Sequence, residues 1–459
     1  MKLNESIFKS YDIRGIYPND LNEVVAEDIA QCYLKFVARK RNKQLKDLVI
    51  VVGRDIRVSS EPLTDKIIEV FLRYGVSVMD VGLCSINDIY FATGYYQYDG
   101  GIMATASHNP AAYGGLKMIV LNRENQSKVD IINGQDILQE IKRNQLPLTD
   151  QWFKGHSERI DIKEDIIKHI MSFVNLKNIK PFKIVIDIGG GMNGPVIKKI
   201  FEKLPIELIP LFFKYDPTFS CRPPNPLTAG ASEIISHKVL ETNADFGVMF
   251  DVDGDRMFLL DETGRFVKGD MTLLLLAKAV LEKNPGQGVA YNLICSHAVP
   301  EFITKWGGRP LRSEVGYINL ARHMLEGDGI ISGEVSGHYA FKENYFADSG
   351  YLALLFVLQT LSEDGRKLSK IIDEYSLYAR GDEINLEVTN IEDKLSLIRD
   401  YFKDNILDEV DGITVEFANW WFNVRASNTE PLLRITVEAQ DESKLKERQA
   451  EILEVIKEK

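Results

Sequence analysis

Residues 47–81 read DLVIVVGRDIRVSSEPLTDKIIEVFLRYGVSVMDV. Asp47–Gly53 is an uninterrupted apolar run between a charge and a glycine, the pattern of a strand buried on both faces. Ser59–Arg73 changes to helical periodicity, and Val76–Val81 returns to a strand. Strand, helix and strand in this order predict an α/β fold rather than a sandwich or a bundle. The alternation recurs downstream. A helix near Lys163–Val174, a strand Lys183–Asp187, a helix after Pro195 and strands Glu207–Phe213 and Asp245–Phe250 form a second block. Strands Met257–Leu260 and Gly288–Leu293, with helices Asp270–Glu282 and His297–Trp306, form a third. From Leu377 onward the pattern becomes strands Glu383–Val388, Gly412–Phe417 and Leu432–Glu438 and a closing helix from Glu442, an α+β module suited to a lid or clamp. The expected fold is α/β: three successive α/β domains with mixed sheets over 1–152, 153–255 and 256–372, and an α+β domain over 373–459. The three blocks share no clear sequence repeat.

At 459 residues the chain is too long for one core, and length alone suggests roughly three domains. Hydrophobic residues at 45% and charged residues at 27% are those of an ordinary soluble protein. No apolar run approaches the roughly 20 residues of a membrane helix, and the start MKLNES lacks the apolar core of a signal peptide. Cys32, Cys84, Cys221 and Cys295 lie far apart and form no metal-type pair, which fits free thiols and a cytoplasmic protein. A formal net charge of −12 argues against a nucleic-acid partner, which would need a basic face. An anionic substrate would need its cations gathered locally.

The segment 103–118, MATASHNPAAYGGLKM, ends a strand-like run at Thr105 and turns at Asn109-Pro110, which continues neither a ladder nor a helix. Small neighbours leave the Ser107 hydroxyl exposed, and Lys117 sits where a returning strand brings an ammonium beside it. That suits a phosphate-carrying nucleophile; alone, the segment reads better as a surface turn, and the motifs below reverse that. Asp251-Val-Asp-Gly-Asp-Arg256 follows an apolar strand, and alternation puts Asp251, Asp253 and Asp255 on one side of an extended chain. Three carboxylates there call for a hard divalent cation, Mg2+. An EF-hand is rejected, because glycine stands at loop position 4 and strands flank the loop. An aspartyl-phosphate phosphatase also places Asp-x-Asp after a buried strand, but leaves Ser107 unused.

Arg425-Ala-Ser-Asn-Thr-Glu-Pro431 lies between two strands, and Arg425, Ser427, Asn428 and Thr429 make an anion nest for a phosphate handle, with Arg434 assisting from the next strand. The alternative is a polar hairpin turn. Gly333-Glu-Val-Ser-Gly-His338 offers Glu334 and Ser336 to sugar hydroxyls and His338 as an acid/base group. Gly189-Gly-Gly-Met-Asn-Gly194 spells a dinucleotide fingerprint, but it lacks the acidic partner at the expected spacing and reads as a tight strand-to-helix turn. Arg14 and Arg54 add cations near strand ends, each equally readable as a structural ion pair.

In this order, YDIRG at 11–15, TASHNP at 105–110, DVDGDR at 251–256, GEVSGH at 333–338 and RASNTEP at 425–431 resemble the α-D-phosphohexomutase family across nearly the whole chain. The resemblance implies four domains around a central cleft. It implies a phosphoserine at Ser107, Mg2+ held by Asp251, Asp253 and Asp255 together with that phosphate, and Arg256 beside it. Arg14, Lys117 and His338 become candidates for acid/base and charge-stabilising roles. Glu334 and Ser336 would read sugar hydroxyls, and Arg425, Ser427, Asn428 and Thr429 would grip the non-reacting phosphate. The reaction implied interconverts hexose 1- and 6-phosphates through a hexose 1,6-bisphosphate, which also serves as activator. The GEVSGH and RASNTEP forms are most similar to phosphomannomutase/phosphoglucomutase members, since phosphoglucosamine mutases usually carry glycine where Asn428 stands. Ser85-Ile86 and Gly114-Gly115 depart from the usual Thr-Pro and Asn-Gly. Glu314-Val-Gly-Tyr317 stands where lysine and histidine are common, which puts Tyr317 at the sugar pocket. The partner expected is a small sugar phosphate, with no membrane; monomer and dimer both stay open.

Overall fold

The structure is a computed structural model describing residues 3–143, 154–427 and 432–457. Four sheets organise it. In the first, Val49–Arg54 lies between Ser77–Leu83 and Gly100–Ala104, parallel to both, and Tyr113–Leu121 returns antiparallel along Gly100–Ala104. Ile13–Ile16 and Val129–Ile132 pair with Tyr113–Leu121. The helix Ser60–Arg73 covers this sheet with Leu63, Ile67 and Val70, all fully buried. Their four- and three-residue spacing is one helical stripe, and each such side chain stabilises by about 1.5–3 kcal/mol.

The second sheet sets Phe182–Asp187 between Ile206–Leu211 and Phe246–Phe250, with Met257–Asp261 antiparallel to Phe246–Phe250. The third sets Gly288–Asn292 between Arg309–Ser313 and Gly329–Gly333, with Tyr339–Phe341 antiparallel to Gly329–Gly333. Counted from Val49, Phe182 and Gly288, the three sheets therefore share one strand order: a central first strand, the second and third on its two sides, and a fourth returning beside the third. TASHNP, DVDGDR and GEVSGH each fill the hairpin from third to fourth strand. This repeat is invisible in the sequence because pairing order leaves no trace in periodicity.

Sheet membership corrects two boundaries. Met257–Asp261, assigned above to the third block, belongs to the second sheet, so a division after 255 cuts its hairpin. His156–Arg159, assigned to the second block, pairs parallel with Ser77–Leu83 in the first sheet. All four of its residues are exposed, so it carries no apolar signal. One apolar core runs through all three α/β units, joining Ile89 and Phe91, Ile166 and Ile186, and Leu274 and Phe341. Their mutual orientation is thus a matter of packing rather than of linkers.

The last unit has an antiparallel sheet with its own core, including Phe422, Leu433 and Ile435. It docks on the third: Trp421 stacks on His297 at 5.0 Å, the His297 N–H donates to Glu438 at 2.9 Å, and Arg380 pairs with Asp270. No helix among the described residues is long and apolar enough to cross a membrane.

Candidate active site

The hydroxyl of Ser107 is not exposed as expected: the residue is 1% accessible. The hairpin of the second sheet covers it, with Ser107 Oγ 3.2 Å from Asp251 Oδ2. Ser107 holds φ +49°, a left-handed conformation that non-glycine residues adopt at a cost. The Thr105 hydroxyl accepts its N–H at 2.9 Å, and His108 Nδ1 lies 3.2 Å from Oγ. Burial, then the charges of Arg256, Arg14 and Lys117, push the His108 pKa well down, which favours the neutral imidazole and makes it a poor acceptor of a full proton. Arg14 reaches the same loop by donating to the Asn109 side chain, and pairs with Asp12 at 2.7 Å.

The three aspartates converge, but not through the pleat of an extended chain. The loop bends at Gly254 (φ +81°), and Asp251 Oδ1 accepts the N–H groups of Gly254 at 3.1 Å and Arg256 at 3.2 Å. One oxygen from each of Asp251, Asp253 and Asp255 then falls within 4.8 Å of the others, all three residues being buried. Lys117, opposite Met103 on the returning strand, points its ammonium at Asp253 (2.8 Å) and Asp255 (2.5 Å). Burial and the neighbouring Asp255 and Asp253 raise the Asp251 carboxyl. Asp255 is also raised by burial, but Lys117, His338 and Arg256 outweigh this and hold it low. Oδ1 of Asp253 and Oδ1 of Asp255 are buried without a hydrogen-bond partner, and Asp253 Oδ2 meets only the Lys117 ammonium. Such oxygens, gathered within 4.8 Å of one another, fit a hard divalent cation.

Glu334, Ser336 and His338 form one hydrogen-bonded turn. Glu334 Oε1 accepts from Ser336 at 2.5 Å and lies 3.0 Å from His338 Nδ1, while Oε2 accepts from Asn292 at 2.9 Å. His338 Nε2 faces Arg256 Nε at 3.3 Å and Asp255 at 3.7 Å. Burial and Arg256 press its pKa down, yet Asp255 and Glu334 win and raise it. Tyr317 begins the helix Tyr317–Glu326, stacks on His338 at 5.2 Å and meets Tyr11 of the first unit at 5.0 Å. Ser107, Lys117, the aspartates, Arg256, His338, Glu334, Ser336, Tyr317 and Arg14 are thus brought together by three different hairpins, the strand Ile13–Ile16 and the start of the helix Tyr317–Glu326.

Arg425 and Arg434 form a separate cluster. They stand opposite each other on the antiparallel pair Trp420–Ala426 and Leu432–Ala439. Glu383 bridges them, at 2.9 Å and 3.4 Å, which offsets the repulsion of two facing cations. Ser427 closes the hairpin, its N–H donating to Leu432 at 2.9 Å. Asn428 and Thr429 lie outside the described residues.

The glycine turn 189–194 supports the aspartate loop instead of holding a ligand. The N–H groups of Gly190, Gly191 and Met192 donate to Phe212, Ile188 and Val252, and a Cβ on Gly191 would meet the Val252 carbonyl at 2.4 Å. Arg54 is a structural partner of Glu61 at 2.8 Å. Two residues escaped the sequence reading. His108 reads in the sequence only as part of a turn. Arg57, three residues beyond Arg54, carries no motif of its own; only its charge between Ile56 and Val58 in the loop before the helix marks it.

Four family models match in order: "Phosphoglucomutase/phosphomannomutase, alpha/beta/alpha" domain I over residues 5–145, domain II over 164–264 and domain III over 268–378, and the "C-terminal domain" over 383–455. A phosphomannomutase of Escherichia coli (strain K12) is 34% identical over 449 residues, covering 96% of each chain. A phosphomannomutase of Methanocaldococcus jannaschii is 34% identical over 452 residues, covering 98% of this chain and 97% of its own. The crystal structure of a phosphoglucomutase/phosphomannomutase family protein from Burkholderia thailandensis matches with a TM-score of 0.86 at 28% identity, over 99% of this chain and 98% of that one. Sequence and fold agree along the whole length, and the chain belongs to the α-D-phosphohexomutase family as a phosphohexomutase enzyme.

Proposed function

We propose that the enzyme interconverts the 1- and 6-phosphates of mannose, glucose or both, through a phosphoserine at Ser107 and a hexose 1,6-bisphosphate. The observation that carries this reading is the buried Ser107 Oγ lying 3.2 Å from the first of three clustered aspartates. Asp251, Asp253 and Asp255 would hold Mg2+, whose charge would neutralise phosphate oxygens during transfer. A phosphoserine brings about −1.5 to −2 charges, and Lys117, Arg256 and Arg14 supply the cationic surround. A sugar hydroxyl attacks the phosphorus, the P–Oγ bond breaks, and the serine oxygen takes a proton from the site as it leaves. The attacking hydroxyl loses its proton to a base, for which His338, held by Glu334 at 3.0 Å, is the candidate. The bisphosphate then presents its other phosphate to Ser107, and reversal of the same step regenerates the phosphoserine. Such transfer depends on positioning and charge stabilisation. Glu334, Ser336 and Tyr317 would contact the sugar, and Arg425, Ser427, Asn428, Thr429 and Arg434 the phosphate that stays.

The test is turnover of mannose, glucose and glucosamine 1-phosphates with Mg2+ and a trace of hexose 1,6-bisphosphate, for wild type and Ser107→Ala. Isomerisation of the mannose or glucose compound, lost in the variant, is expected. Glucosamine 1-phosphate as the preferred substrate would move the assignment to a phosphoglucosamine mutase. Free phosphate released equally by both proteins, without isomer, would overturn the serine mechanism in favour of an aspartyl phosphatase.

A further inference from the structure

Two non-glycine residues in left-handed conformation face one buried cation. Ser107 (φ +49°) and Phe219 (φ +50°) both surround Arg57, whose side chain is 0% exposed. The guanidinium of Arg57 donates to four carbonyls of the serine loop and its exit: Ser107 at 2.5 Å, Asn109 at 2.6 Å, Pro110 at 2.8 Å and Tyr113 at 3.4 Å. Its charge is countered by Asp55, 3.2 Å from Nε and equally buried. Phe219, from the second unit, lies under the guanidinium, with 4.7 Å from its carbon to the ring centroid. Three residues later Arg222 donates to the Phe250 carbonyl at 2.6 Å and to Asp187 at 2.8 Å, and Phe250 immediately precedes Asp251. The stretch from Phe219 to Arg222 therefore touches the support of the serine loop at one end and the root of the aspartate loop at the other.

We infer that Arg57 and Phe219 are positioning residues: together they hold Ser107 in its left-handed conformation and set Oγ in register with Asp251. This rests on the proposed role of Ser107 as phosphate carrier. The physical case is one of over-determination. A left-handed serine persists only where its surroundings hold it, and a planar guanidinium meets several carbonyls at fixed angles as an ammonium cannot. Stacking on an aromatic ring completes the seat from the opposite face. Phe219 accepts the same backbone cost, although no turn motif requires an aromatic there; its ring is what Arg57 gains. Because Arg57 belongs to the unit of the serine and Phe219 to the unit of the aspartates, the contact ties one loop's geometry to the other's. Neither residue touches the sugar-contacting turn at Glu334 or the Arg425 cluster.

The experiment compares wild type, Phe219→Leu, Phe219→Tyr, Arg57→Lys and Ser107→Ala. It measures kcat, KM for the sugar 1-phosphate, thermal midpoint, and the mass gained by Ser107 on incubation with hexose 1,6-bisphosphate. Phe219→Leu keeps bulk but removes the aromatic face, and is expected to lower kcat and the rate of serine phosphorylation on the order of 10- to 100-fold, the scale of a displaced reacting group. KM should stay within about twofold, because the sugar and phosphate contacts lie on other hairpins. Phe219→Tyr should restore kcat. Arg57→Lys should fall like Phe219→Leu, with KM unchanged, and provides the independent arm should the leucine variant be poorly folded. Wild-type kcat in folded Phe219→Leu or Arg57→Lys would overturn the inference. So would a loss of kcat in Phe219→Tyr as large as in Phe219→Leu, or a loss accompanied by a proportionate rise in KM. If Ser107→Ala itself turns over normally, the failure lies with the phosphoserine reading; if it is dead while Phe219→Leu is fully active, only the positioning inference fails.

Discussion

Replacing Arg222 by leucine tests how the second unit supports the aspartate loop. Asp187 and Arg222 are a buried pair, with side chains 0% and 2% exposed and 2.8 Å between them. Arg222 also donates to the carbonyls of Phe250 at 2.6 Å and Pro223 at 2.9 Å, while Asp187 accepts the Gly189 N–H at 2.7 Å. In Arg222→Leu the Asp187 carboxylate keeps only that last donor and loses its counter-charge. Breaking a buried pair from one side costs about 3–5 kcal/mol. The three α/β units share one core, roughly 370 residues, and at about 2.1 cal/mol/K per residue the thermal midpoint should fall by about 4–6 °C. The pH dependence has a definite sign. Burial already raises the Asp187 carboxyl above its ordinary value against the opposing pull of Arg222, and removing the arginine raises it further. A carboxyl that titrates higher when folded than when unfolded favours the folded state at low pH and loses that advantage as pH rises through the folded value. The deficit of Arg222→Leu should therefore be small near pH 5 and larger near pH 8, and Asp187→Asn added to it should recover most of the loss at pH 8. Calorimetry or circular dichroism melts of the three proteins at both pH values decide this. A pH 8 midpoint equal to wild type, or a deficit that is the same at both pH values and unrelieved by Asp187→Asn, would refute the reasoning.

Lys117→Met should lower turnover at least on the order of 100-fold, the scale of removing a preorganised charge, while Mg2+ binding measured by calorimetry becomes no weaker, because the ammonium now sits on Asp253 and Asp255; weaker binding would contradict that competition. Arg425→Gln should raise KM for sugar phosphate about tenfold or more with a smaller change in kcat, as loss of a charge-assisted phosphate contact does. Glu383→Gln should lower KM, by releasing the two guanidiniums it now bridges. Steady-state kinetics read both, and a KM unchanged in Arg425→Gln would remove the phosphate role from this hairpin.

Much of the architecture is legible in the chain because burial imposes periodicity. The apolar run 48–52 becomes the central strand of the first sheet, and Ser59–Arg73 becomes its covering helix, since each can satisfy its backbone and hide its apolar face in only one regular way. The motif residues are legible for a related reason: serine before Asn-Pro, three aspartates around a glycine, and arginine leading a polar turn are costly combinations without a chemical use. His156–Arg159 shows the limit. It is a fully exposed strand held by pairing with Ser77–Leu83, and hydrogen bonds to a neighbour are not written in hydrophobicity.

By itself the sequence determined the α/β class, the order of the motifs and the residue types that carry the chemistry, because these follow from local propensity and from the solvation of side chains. Only the tertiary structure decided that the three α/β units repeat one strand order, so that three unrelated-looking loops fill the same hairpin. Only it decided that Ser107 is buried against Asp251, that the aspartates meet through a turn at Gly254, and that Arg57 and Phe219 from different units face each other beneath the serine loop. The burial of the serine and the Arg57–Phe219 seat depend on contacts between residues on the order of 100 positions apart, Ser107 with Asp251 and Arg57 with Phe219. Such contacts are set by how whole sheets pack, and no stretch of sequence records them.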